Sequence, residues 1–276
     1  MKALEIKKLS RQEKQCVLYF AVLPSKPEPI LNLSEYFLLG RDFVDDLLDC
    51  YQENTYTKSF FGRVRRMIGD LTHITFQLLV YEKLNAPNGL QKTLDSLVQK
   101  GWLLEENKMY QMPENIQQIA LKNMKVRAKN LVLLLDGFSK RIAFHSSVML
   151  HARLFYMPYC EHLLKTLHED HALIAKLSNM VGRIYMFLGD HEKAIYFQLR
   201  DVRICEKLFP NKHLDLGFCY AMMAIYYYYS AEYKNAKFYI EKSADIFQRN
   251  LPQDNEDLQN ALAWKNDIYE AYNNDK

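Results

Sequence analysis

The chain has 276 residues, 49% hydrophobic and 25% charged, enough for one large or two modest domains with a packed core. Its 9 Gly and 8 Pro are about half the usual share, which argues against turn-rich all-β folds and glycine-looped nucleotide folds. The 36 Lys+Arg against 33 Asp+Glu leave a net charge of +3, too balanced to demand nucleic acid or an anionic membrane as a partner.

Five cysteines, Cys16, Cys50, Cys160, Cys205 and Cys219, are odd in number and nowhere form Cys-x-x-Cys. That pattern argues against a disulfide framework or a zinc knuckle and predicts small buried apolar residues in a reducing compartment. The charged start and the short apolar run Cys16–Leu23, ended by Pro24, do not read as a secretory signal. No stretch approaches the roughly 18 apolar residues of a membrane span. The expected location is the cytoplasm.

In chain order, Ser10 with Glu13 three residues on has capping-box spacing. Val17, Leu18, Phe20 and Ala21 follow, and Pro24 stops the helix. Two more helices are predicted between about 33 and 84, the second with apolar residues from Phe60 to Leu79 at helical spacing. Asn85–Gly89 breaks the chain. Leu90, Leu94, Leu97 and Val98 predict an amphipathic helix closed by Gly101. Trp102–Leu104 and Met109–Met112 read as two strands, with Glu105–Lys108 as their turn, and a further helix starts at Pro113. Helix, two-stranded wing and helix is the order of a winged-helix domain.

After about residue 126 strand signals cease and a repeat of 42 residues appears. Tyr185, Tyr227 and Tyr269 obey it, as do Ala194 and Ala236, Ile204 and Ile246, and Pro210 and Pro252. Fixed-period self-similarity marks a solenoid in which each unit buries its face against its neighbours. Gly182 and Ala224 allow close helix contact, and Gly189-Asp190 makes a turn. The pattern is tetratricopeptide-like, with Ser178 and Tyr220 where Trp is usual and Gln198 and Ile240 where an aromatic is usual. Its period resembles the longer kinesin-light-chain type of repeat.

Glu13–Pro24, Leu94–Leu103 and Tyr110–Gln117 resemble the winged-helix domain that follows the ATPase core in STAND-type (NB-ARC-like) signalling NTPases, where tetratricopeptide repeats commonly follow. The resemblance covers about 13–24, 90–120 and 170–270 and leaves 33–84 as an insertion. The family's Met-His-Asp, whose His touches nucleotide phosphate, is here Met112-Pro113-Glu114, and Pro113 offers no such donor. No Gly-x-x-x-x-Gly-Lys-Ser/Thr loop occurs either. The resemblance therefore implies a relative without the ATPase core, needing no cofactor.

The expected fold is mainly α, with a winged-helix-like domain over 1–125, helical insertion included, and a tetratricopeptide-like superhelix over 126–276. The expected function is non-catalytic protein–protein interaction, as an adaptor or sensor arm. By repeat register the concave surface is lined by Lys176, Asn179, Arg183 and Met186, then Phe218, Ala221, Ile225 and Tyr228, a polar end beside an aromatic end suited to a peptide with an acidic group. Two and a half repeats are discernible.

Two other readings stay open: a transcriptional regulator with the winged helix on DNA, and a subunit that supplies this half to a separate nucleotide-binding chain. For DNA, the reading helix offers Gln91, Lys92, Gln99 and Lys100 but also Asp95, and the wing tip has Glu105 and Glu106, the wrong charge for phosphate. Arg63, Arg65 and Arg66 read as the solvated face of a helix. The histidines His145, His151, His162, His168 and His171 read as helix-surface residues near a turn, not metal ligands. No nucleophile elbow or His-Glu-x-x-His occurs.

Overall fold

A computed structural model describes residues 5–29, 33, 80, 83–84, 86–124, 126–143, 150–209 and 213–275. The protein is mainly helical, with one small three-stranded sheet among the described residues. Of the predicted insertion only Leu33, Val80, Lys83 and Leu84 are described; Arg63, Arg65, Arg66, Cys50, His145 and Pro210 lie outside the described residues. The chain divides into two compact units, the first running in the main to Leu167 and the second from His168 to the end.

Helix α1, Arg11–Val22, opens the first unit with the capping box expected of its sequence: the Glu13 amide donates to Ser10 Oγ at 3.2 Å, and the Ser10 amide to Glu13 Oε2 at 2.6 Å. Cys16 to Leu23 are all buried, so α1 is the unit's central helix and not a one-faced surface helix. Strand β1, Glu28–Pro29, follows. Helix α2, Gly89–Gln99, ends in a Schellman motif: Gly101 takes φ 78°, its amide donates to Val98 O, and Trp102 N–H donates to Leu97 O at 2.9 Å.

Strands β2, Leu104–Glu106, and β3, Met109–Gln111, pair antiparallel, and β3 pairs with β1, giving the order β1-β3-β2. The hairpin turn is Asn107-Lys108, both at positive φ as a tight two-residue turn requires. Glu105 and Glu106, expected in the turn, thus sit in the strand. Helix α3, Glu114–Asn123, packs on α1, and its buried Gln117 Nε2 donates to Phe20 O and Leu23 O, satisfying carbonyls at the end of α1.

Helices α4, Val132–Ile142, and α5, Leu150–Thr166, lie in the region that the sequence assigned to the repeats. Through Arg141 and from Leu150 onward they belong instead to the first unit, which sets the division near 167 and not 125. Long-range bonds explain why: Gln15 Nε2 donates to Asn130 O at 2.9 Å, the Tyr159 hydroxyl donates to the buried Glu28 carboxylate, and Lys26 pairs with Glu28 while lying over the Tyr159 ring.

The second unit is a train of helices: α6 Ala172–Phe187, α7 His191–Leu208, α8 Leu214–Tyr229, α9 Tyr233–Asn250 and α10 Glu256–Asn274. Starts and ends of α6 and α7 reappear 42 residues later in α8 and α9, and α10 begins 42 after α8. The caps keep the same period. His171 Nδ1, His213 Nδ1 and Asn255 Oδ1 each accept from the amide two residues on. The hairpin turns keep it too, through Gly189 at φ 78° and Ala231 at φ 59°, both in Schellman geometry. Ala194 and Ala236 are fully buried where the helices of each hairpin cross, and a Cβ on Gly182 would meet Ala194 O at 3.2 Å.

Candidate interaction groove

In the second unit each helix packs on the next, and α8 also touches α10. The first helix of each hairpin, α6, α8 and then α10, therefore supplies one face of the array. Of the eight residues predicted to line it, Lys176 and Phe218 are exposed and Asn179, Arg183, Met186, Ala221, Ile225 and Tyr228 are half-buried.

Several of these side chains are already engaged within the unit. Asn179 Nδ2 donates inward to Gln198 Oε1 at 3.2 Å and Asp201 Oδ2 at 3.1 Å. Met186 Sδ meets His191 Nδ1 at 3.4 Å. Phe218 packs edge-on to Phe247 of α9. Tyr228 sits in an aromatic cluster with Tyr229, Tyr233 and Trp264 of α10. The structure thus makes Asn179 a bridge to the second helix of its hairpin and Tyr228 a bridge to the third repeat.

Sequence reasoning missed two groups on this face. Phe187 and Tyr229, 42 apart and each the last residue of its helix, are 63% and 54% exposed. Their shared register was the signal that could have found them. The third repeat's first helix is complete, and the same register places Asn260, Ala263, Asp267 and Glu270, all exposed, beside the eight. The face accordingly passes from basic residues on α6, through aromatics on α8, to acidic residues on α10.

Behind α6 lies a polar cluster that the sequence reading did not foresee. Asp201, one turn before Cys205 on α7, and Cys219 on α8 are all buried, and their ligand atoms lie within 4.8 Å of one another. Burial pushes the Asp201 carboxyl up, opposed in part by bonds from Asn179, Cys219, Cys205 and Gln198. The Cys219 thiol is pushed up by Cys205, by burial and by the Asp201 charge. Tyr226, two turns beyond Cys219, is also buried, and its hydroxyl has no hydrogen-bond partner among the described residues. A search for short Cys-x-x-Cys spacings passes over this set, because two members stand at i and i+4 of one helix and the third lies on the next.

Two of the four residues considered for DNA contact are engaged within the first unit, while Lys92 and Gln99 are exposed. Gln91 Nε2 donates to Asp95 Oδ1 and Tyr110 Oη, and Lys100 Nζ pairs with the buried Glu13 at 2.6 Å. Among the histidines set aside as metal ligands, His171 caps α6, and burial together with Lys165 lowers the His162 pKa. No helix among the described residues is long and apolar enough to cross a membrane.

No protein-family model matches the sequence, and no match to a curated protein was found.

Proposed function

We propose that this chain is a non-catalytic interaction module of the cytoplasm, an adaptor or sensor arm related to STAND-type regulators. In this reading the first unit is a winged-helix domain without an ATPase core. The second is a tetratricopeptide-type array whose first helices bind an extended or helical peptide segment of a protein partner. The observation that carries the reading is the 42-residue recurrence of turns and buried alanines over α6 to α9 and of N-caps on α6, α8 and α10, since stacked helical hairpins expose the same face of each first helix along one surface.

The chemistry of that face suggests its ligand. Lys176 and Arg183 stand at one end, Phe218, Tyr228 and Tyr229 in the middle, and Asp267 and Glu270 at the other. A segment with an acidic group, an apolar or aromatic centre and a basic group in that order is complementary to it. The engagement of Gln91 and Lys100 within the first unit favours this reading over one in which α2 reads DNA.

Selection from a displayed peptide library against the purified chain tests the proposal. Enriched peptides should share the acidic–apolar–basic order. Lys176→Ala and Arg183→Ala should each weaken their binding several-fold, and the exposed Lys176→Ala should leave the melting temperature within about 2 °C. Peptides that bind all variants equally, or no enrichment at all, would remove the groove assignment.

A further inference from the structure

We propose that Asp201, Cys205 and Cys219 form a binding site for a zinc-class divalent ion between α7 and α8. Two thiols and one carboxylate are the donor set of such an ion. In a tetrahedral zinc site with sulfur and oxygen ligands, neighbouring donors stand about 3.5–3.8 Å apart. Cys205 Sγ already lies 3.4 Å from Asp201 Oδ1. The third donor, Cys219 Sγ, lies within 4.8 Å of both. With all three atoms inside 4.8 Å, closing the set on an ion requires movements of at most about 1 Å.

The surroundings have the form of an outer shell that orients a ligand. The far oxygen of the carboxylate, Asp201 Oδ2, accepts from Gln198 Nε2 at 2.9 Å and from Asn179 Nδ2 at 3.1 Å. That leaves Oδ1 turned to the sulfur, the arrangement of a monodentate carboxylate held by second-layer hydrogen bonds. Gln198 is itself fully buried and also donates to Cys219 O. The Tyr226 hydroxyl, two turns from Cys219 on α8, is buried without a hydrogen-bond partner among the described residues.

Comparison of the two hairpins shows that packing alone does not require these groups. Forty-two residues on, the positions of Asn179, Gln198, Asp201, Cys205 and Cys219 are taken by Ala221, Ile240, Ser243, Phe247 and Ala261. The second interface, between the corresponding helices α8, α9 and α10, has apolar residues and one serine at these positions, the serine donating to Gly217 O at 2.8 Å. Burying the Asp201 carboxylate in the first interface costs free energy that the second interface avoids, and the bonds from Asn179 and Gln198 offset only part of it. A metal ion supplies the compensation, because coordination replaces the hydration that the carboxylate and the thiolates lose.

The buried position means that the ion enters as the hairpins fold, which sets the experiment. The full chain is unfolded and refolded under reducing conditions, with zinc, with cobalt(II) or with a chelator, then desalted and analysed for bound metal. One zinc per chain is expected, with a higher melting temperature than the chelator-treated chain. The cobalt form should show the thiolate charge-transfer band and visible spectrum of a tetrahedral site. Cys205→Ser and Cys219→Ser should each diminish that band and weaken retention at least tenfold, whereas Cys160→Ser, in the other unit, should leave both as they are. Should the serine variants fail to fold, the wild-type chain still decides, through its metal content and cobalt spectrum. A wild-type chain that refolds fully yet holds no stoichiometric metal and shows no charge-transfer band overturns the proposal. So does a band that survives in both Cys205→Ser and Cys219→Ser.

Discussion

Ala236→Leu is the substitution most sensitive to the packing of the repeat array. Ala236 is fully buried with Ala224, Ile240 and Ile268, and Tyr227, Tyr228, Tyr239 and Trp264 close the cluster's rim. A leucine adds three carbons at a helix crossing that has no exposed surface to receive them. Forcing methylenes into such a contact costs about 1–3 kcal/mol. For a second unit of about 110 residues, an unfolding entropy of roughly 2.1 cal/mol/K per residue turns that cost into a fall in melting temperature of about 4–13 °C. The chain's 2 tryptophans make the assay specific: Trp102 is buried in the first unit and Trp264 borders the cluster in the second. In a Trp102→Phe background the fluorescence of Trp264 therefore reports the array alone. Ala194→Leu, the equivalent change one repeat earlier, should produce a fall of similar size. A melt within about 1 °C of the parent for both leucines would refute the crossing geometry and with it the register that defines the groove.

Three further outcomes follow from local geometry. Ala231 adopts a left-handed φ of 59° where its repeat partner is Gly189, so Ala231→Gly should raise stability by about 0.5–1 kcal/mol, and Gly189→Ala should lower it by about 1 kcal/mol, both read by thermal melts. Gly89→Ala would place a Cβ 2.2 Å from Lys83 O and 2.8 Å from Leu84 O, both backbone atoms, and should cost the first unit at least about 2 kcal/mol by denaturant titration. The third outcome concerns pH. Burial raises the Glu13 carboxyl, but the bonds from Lys100, Ser96 and Ser10 outweigh it and bring the pKa down to about 2 from an ordinary 4.5. The folded state then binds fewer protons than the unfolded one, so this stabilisation is complete above about pH 4.5 and is lost as pH falls toward 2. It amounts to on the order of 2 kcal/mol once the solvent around Lys100 is allowed for. Glu13→Gln should lower stability at pH 7 and flatten its dependence between pH 4.5 and 2, measured by urea titration across that range.

Much of the second unit was legible because one repeat constrains many residues at once. Tyr185, Tyr227, Ala194 and Ala236 lie on packed faces, where a shift of one residue would expose them, so their 42-residue spacing predicts the helix ends. The caps were harder to see, since His171 and His213 accept through a ring nitrogen and are not among the usual capping residues. Ser10 with Glu13, and Gly101, were readable because short-range hydrogen bonds dictate them. The boundary near 125 failed for the opposite reason. Helices α4 and α5 follow the last strand signal, as the repeat helices do, and what ties them to the first unit, Tyr159 to Glu28 and Gln15 to Asn130, spans more than a hundred residues of chain. Glu105 and Glu106 were misplaced because Asn107 and Lys108 make the turn alone through positive φ, which no Gly announces. The Asp201 cluster was invisible to spacing rules because its third member comes from another helix.

The central claim, that the array's first-helix face takes a peptide and α2 does not read DNA, is tested most directly by offering the purified chain a random peptide library and a random duplex pool in parallel. Enriched peptides are expected whose binding raises hydrogen-exchange protection on α6, α8 and α10, with no sequence enriched from the duplex pool. A single enriched duplex motif, with protection confined to α2 and the β2–β3 hairpin and no peptide selected, would contradict it.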